Sequence, residues 1–174
     1  MSLPAVLNSL RYASMSMVVD LVLGFGVAYV VVRTKAVGRG VLDALSMLPL
    51  AVPGIVMAFG YIALTRPGGI LEPLDPRSAD PTVLLVIAYA VRRLPYVVRG
   101  GVAGLEQTSV SLEDAARNLG AGPLRSVTSV TLPLIAANLA AAALIAFSFA
   151  VLEVSDSLIL AYWPEHYPIT KAIW

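Results

Sequence analysis

From Ser126 to Leu152 the chain runs for 27 residues without a charged side chain, and from Ala44 to Thr65 it runs for another 22. A helix rises about 1.5 Å per residue and a bilayer core is about 30 Å thick, so each run is long enough to cross one. Inside hydrocarbon the backbone has to satisfy its own hydrogen bonds, and unbroken apolar runs of this length do so as helices. A third run, Tyr12 to Val32, has 21 residues with Asp20 as its single charge. The whole chain agrees with these runs. Its 174 residues are 58% hydrophobic and 13% charged, with a mean hydropathy of +0.82, too apolar for a soluble domain of this size. The expected fold class is therefore an all-α membrane protein.

Four spans are expected in one domain covering 1–174, at about 12–32, 44–65, 82–98 and 133–156. The second contains Pro49, Pro53 and Gly54 and reads as a kinked helix packed in the interior, where neighbours satisfy the freed carbonyls. Thr65 to Pro81 is rich in Pro, Gly and Asp and reads as a loop. The third span is interrupted by Arg92 and Arg93, which either snorkel to an interface or pair inside the bundle. The fourth carries the small-residue run Ala140 to Ala143, which permits close helix packing. Arg33, Lys35, Arg39, Arg92, Arg93, Arg99, Arg117 and Arg125 fall on one side of this arrangement; Arg11, Arg66, Arg77 and Lys171 fall on the other. The positive-inside rule puts the richer side, with a loop over 100–132, in the cytoplasm and both ends of the chain outside.

Within that loop, Ser111 to Pro133 is a polar, two-part helical signal. Ser111 is suited to an N-cap, Asp114 three residues on completes a capping box, and Glu113 and Asp114 bring negative charge to the first turn. A helix over Leu112 to Leu119 is expected, then a left-handed stop at Gly120, then a second helix with Gly122 before it and Pro123 at its first position.

Asp114-Ala115-Ala116, then three residues and Gly120, then nine residues and Val130-Thr131-Leu132-Pro133 resemble the EAA loop of binding-protein-dependent ABC importer permeases. Ala115, Ala116, Gly120, Leu132 and Pro133 match the motif outright, and chance agreement at ordinary composition is on the order of one in a million per start site. Asp114 stands where the family has glutamate, one methylene longer, and Val130 where it has isoleucine. Leu48-Pro49-Leu50-Ala51-Val52-Pro53-Gly54-Ile55 and Leu94-Pro95-Tyr96-Val97-Val98-Arg99 are similar to segments of the subgroup that imports ferric iron, thiamine, polyamines, sulfate or phosphonates, and Asn8-Ser9-Leu10 resembles the start of the family core. The resemblance runs from about Asn8 to Leu160.

It implies the helical core of a type I, methionine-permease-like importer in a bacterial or archaeal inner membrane, present as a piece of a larger core. It further implies a second permease domain, identical or fused, an ABC ATPase subunit beneath, and an external substrate-binding protein. The substrate would be ferric iron or another small ion or polar solute. Leu112, Glu113, Asp114, Ala115, Ala116, Leu119, Gly120, Leu132 and Pro133 would couple to the ATPase. A membrane scaffold that keeps the docking loop without a pore is the competing reading.

Other chemistry finds little support. There is no cysteine, no phosphate-binding glycine loop, and no paired-histidine zinc helix, so no catalytic residue, cofactor or metal site is expected and ATP hydrolysis is assigned to a partner. His166 is the single histidine and reads as a solvated loop residue. A net charge of +1 with no basic run argues against nucleic acid. Asp20, Glu153 and Asp156 lie near the outer ends of spans, where they either attract a cationic substrate or serve as caps and partners of Arg11, Arg66 or Arg77.

Overall fold

The structure, a computed structural model, describes residues 3–173, and no strand occurs among them. Three long helical rods carry it: α1 (Leu3–Arg33), α4 (Thr82–Gln107), and the rod Pro123–Val151. That last rod comprises α6 (Pro123–Ser126), a wider π-type turn at Val127–Thr131, and α7 (Leu132–Val151). The π turn explains how a helix passes Pro133. Proline cannot donate, and its ring crowds the carbonyl four residues back. The Leu132 N–H reaches the Val127 carbonyl five residues back, so the ladder is already widened where that crowding falls. The fourth helical run thus starts at Pro123, earlier than the expected 133, and stops at Val151.

Helices α1 and α4 run parallel, and α7 runs antiparallel to both. Small residues set their spacing. A Cβ at Gly101 would lie 2.8 Å from the Ala28 Cβ on α1, and one at Gly104 would lie 3.0 Å from the Ile135 Cβ on α7. Only glycine allows backbones that close, in the small-xxx-small manner of membrane helices. Buried Val97, Val98, Leu105, Ile135 and Leu139 form one apolar core there. Tyr12, Leu84, Leu85, Tyr89 and Leu160 form a second core toward the other end. The α4 helix does not stop at Val98, so residues 100–107 are its last turns and not part of the loop.

The second apolar run departs most from expectation. It is two helices, α2 (Arg39–Ala51) and α3 (Gly54–Leu64), meeting at 106°, and not one kinked, interior-packed span. Pro49 sits inside α2 without breaking it, whereas Pro53 ends it by forcing Val52 into extended backbone at φ −97°, ψ 127°. Leu45, Leu48, Leu50, Ile55, Val56 and Phe59 are exposed, so the pair lies on the outside of the bundle. By length and composition α1 and Pro123–Val151 each suffice to cross a membrane, as does the α2–α3 pair if counted as one broken span. Past Val151 come α8 (Ser155–Leu160), a short turn at Pro164–His166, and α9 (Ile169–Ala172). This segment folds back over the start of α1: Asn8 Nδ2 donates to the Glu165 carbonyl at 2.8 Å, and Ser9 Oγ accepts from the Ile169 N–H at 2.8 Å.

Candidate functional site

At the end of the bundle where α4 stops and α6 begins, the chain makes a short helix, α5 (Val110–Asn118). Only Thr108 and Ser109 separate it from α4. The N-cap is Ser109, extended at φ −66°, ψ 133°, whose Oγ accepts from the Ser111 N–H at 3.3 Å. The expected cap at Ser111 and its capping box with Asp114 do not form. Ser109 already holds the non-helical geometry that a cap needs, which leaves Ser111 inside the first turn.

The far end of α5 follows the sequence reading. Gly120 is left-handed at φ +89°, its N–H donates to the Arg117 carbonyl at 2.9 Å, and the Ala121 N–H donates to the Ala116 carbonyl at 3.0 Å. These two bonds make a Schellman stop, which satisfies carbonyls the helix would leave orphaned. Gly122 then caps α6, with Pro123 in its first turn.

Two faces of α5 differ in kind. Leu112, Ala115 and Leu119 recur at helical spacing and point away from the bundle. Leu112 and Ala115 are exposed, Leu119 is 90% exposed, and Leu124 just beyond is 82% exposed. Asp114, Gly120 and Pro133 are exposed too, while Ala116 and Leu132 are half-buried. Glu113 faces the other way. Its side chain is 2% exposed, and Oε1 lies 2.9 Å from Arg33 Nε at the end of α1. Tyr29 OH donates to Oε2 at 3.4 Å, and Arg117 stands 3.8 Å away. Ser126 Oγ donates to the Glu113 carbonyl at 3.5 Å. Of the nine residues expected to couple, Glu113 alone is fully buried, and Leu132 packs against the apolar core.

Arg33, Tyr29 and Ser126 had no place in that set. Nothing in the local pattern ties Arg33 to an acid 80 residues later, because the end of a span followed by a basic residue is explained by topology alone.

The three acids expected near the outer ends of spans do not share one setting. Asp20 is 1% exposed, neither carboxylate oxygen has a hydrogen-bond partner, and it lines a cavity of about 140 Å³ between α1 and α4 with Leu23, Ile87, Val91 and Leu94. Glu153 is buried and ion-paired with Arg93 and with Arg92 at 3.4 Å, and its Oε1 accepts from the Ser155 N–H at 3.0 Å at the start of α8. Its partners are therefore the α4 arginines, not Arg11, Arg66 or Arg77. Asp156 is fully buried beside this group. Arg92 and Arg93 pair inside the bundle at the level of Glu153, so they do not belong with the basic residues counted at the α5 end.

Outside the bundle, Asp75 is held below the usual carboxylate range by hydrogen bonds from the Arg77 side chain and backbone, and Asp80 is held below it by Thr82, whose N–H donates to Oδ1 at 2.8 Å. His166 is not a freely solvated loop residue, since its Nδ1 lies 3.7 Å from Asp80. Among the described residues no group of three or more metal-ligating side chains gathers.

A model of the family described as binding-protein-dependent transport system inner membrane component matches residues 20–174. The chain is 34% identical to the molybdenum transport system permease protein of Escherichia coli, over 83% of this chain and 65% of that one. It is 30% identical to the molybdate/tungstate transport system permease protein of Pyrococcus furiosus, over 92% and 61% respectively. It is also 30% identical to the ferric transport system permease protein of Actinobacillus pleuropneumoniae, over 90% of this chain and 22% of the relative. The chain spans less than two-thirds of the length of these relatives.

Proposed function

Because the chain belongs to the family of binding-protein-dependent transport system inner membrane components, we propose that it serves as a permease subunit of a type I ABC importer, lining a translocation path through the inner membrane. The observation that carries this reading is α5. It is a short helix with an uncovered face of Leu112, Ala115 and Leu119, held at one end of a helical bundle by a buried acid on its opposite face. Such a helix suits a cleft on a partner protein, by the helix-in-groove mode. The partner is a separate ABC ATPase, with a second permease domain completing the path and an external binding protein delivering substrate. The relatives named above for molybdenum, molybdate or tungstate, and ferric iron point to a small inorganic ion as the cargo.

Closure of the ATPase dimer on ATP moves α5 and biases the bundle between inward-open and outward-open arrangements. The test uses the full-length permease in proteoliposomes with its ATPase. Leu119→Glu places a charge on the uncovered face and should abolish co-purification of the ATPase and transport, while insertion stays normal. A Leu119→Glu complex that assembles and transports like the parent overturns the reading.

A further inference from the structure

Arg33 ends α1 at the point where α4 gives way to α5, and its guanidinium is committed to that junction. Nε meets Glu113 Oε1 at 2.9 Å, Nη2 donates to the Thr108 carbonyl at 2.7 Å, and the side chain is 6% exposed. Thr108 is the C-cap that follows α4, and Glu113 lies in the first turn of α5. One planar cation therefore holds the end of one helix and the start of the next, using the fixed fork that a lysine lacks. Its charge also suits the end of α1, where the helix dipole is negative. The opposite exit from α5 is tied more weakly, by the Ser126 Oγ bond to the Glu113 carbonyl at 3.5 Å. Gly120 would bring a Cβ within 4 Å of nothing, and Leu119 beside it is exposed.

We propose that Arg33 is a positioning residue that makes α1 follow α5, so that displacement of α5 reaches the bundle through the Arg33–Glu113 pair before it reaches α7 through the glycine turn. This rests on the reading of α5 as the ATPase-docking helix. The pair is buried on both sides, so parting it leaves Arg33 with the Thr108 carbonyl alone and Glu113 with only the longer contacts to Tyr29 and Arg117, and the low-energy response to a push on α5 is for α1 to move with it. Helix α1 cannot then move alone. Gly24 and Ala28 pack closely against Val97 and Gly101, and α4 is tied to the same guanidinium through Thr108. Displacement of α5 is thus passed to α1 and α4 together, and the Asp20 cavity lies between those two helices.

The experiment uses the full-length permease with its ATPase in proteoliposomes, with spin labels at Lys35→Cys and Asn118→Cys, both exposed positions. The parent should show one narrow distance between labels, with and without ATP. Arg33→Gln should keep the ATPase bound and hydrolysing, broaden the label distance, and lower the substrate moved per ATP by about tenfold. An Arg33→Gln complex with the parent distance and the parent ratio of transport to hydrolysis overturns the inference and leaves the permease reading intact. Failure of the parent to bind any ATPase overturns that reading first. Should Arg33→Gln not insert, Arg33→Lys supplies the same two readouts, since it keeps the charge without bridging Glu113 and Thr108 together, and parent-like values in it overturn the proposal.

Discussion

Gly120 allows the cost of one turn to be separated from the cost of everything around it. Its φ of +89° is a conformation that L side chains adopt with strain, while a Cβ built there meets nothing within 4 Å. Substitution therefore carries a backbone term and no packing term. For a residue other than glycine that term is about 1 to 2 kcal/mol, less for asparagine and more for a β-branched side chain. The bundle core lies elsewhere, so insertion and thermal stability of the permease should not change. The effect falls on α5, whose two Schellman bonds from Gly120 and Ala121 depend on that φ. A short helix has little stability of its own to absorb the loss. If 1 to 2 kcal/mol is needed to bring α5 into its docking geometry, ATPase affinity should drop by roughly 5- to 30-fold. The drop should be graded, with Gly120→Asn mildest, Gly120→Ala next and Gly120→Val largest. The assay is titration of purified ATPase onto the permease in nanodiscs. Equal affinity across the series would refute the reasoning, and so would a loss of affinity accompanied by a matching loss of thermal stability.

Gly101→Leu should destabilise the bundle by about 1 to 3 kcal/mol or more, because its Cβ would press on the Ala28 Cβ, whereas Gly26→Leu, with open space at the same point, should not; thermal unfolding in detergent compares them. Cysteines placed singly at Ser111 and Ser78 should label from opposite sides of the membrane, and labelling of Ser111→Cys from outside intact cells would reverse the topology. Asp20→Asn should leave the protein folded with its ATPase bound, since the carboxylate has no partner to lose, and should slow uptake if the charge acts on the substrate; uptake at the parent rate would leave Asp20 a structural role only.

The helical class, the apolar runs and the helix–glycine turn–helix shape of the loop were legible because each depends on local order. Gly120, Gly122 and Pro123 act through backbone conformation, which residues within one turn decide, and the structure places the stop and the restart where those residues put them. The cap was displaced to Ser109 because two serines two residues apart are equally suitable, and the choice between them depends on where α4 ends. The broken pair α2–α3 had the same cause. Pro49 and Pro53 are alike in sequence, and only the surroundings determine which of them stays within a helix.

The amino-acid sequence alone was enough for length, apolarity and the EAA-type motif, and so for the class of membrane protein, because hydropathy and glycine-proline chemistry are properties of a segment. The partners of charged side chains belonged to the tertiary structure. Arg33 with Glu113, and Arg92 and Arg93 with Glu153, are joined across 60 to 80 residues of chain. Counted by sequence position, Arg92 and Arg93 looked like cytoplasmic charges. The bundle instead buries them where an acid from another helix neutralises them, since a charge removed from water persists only beside its opposite.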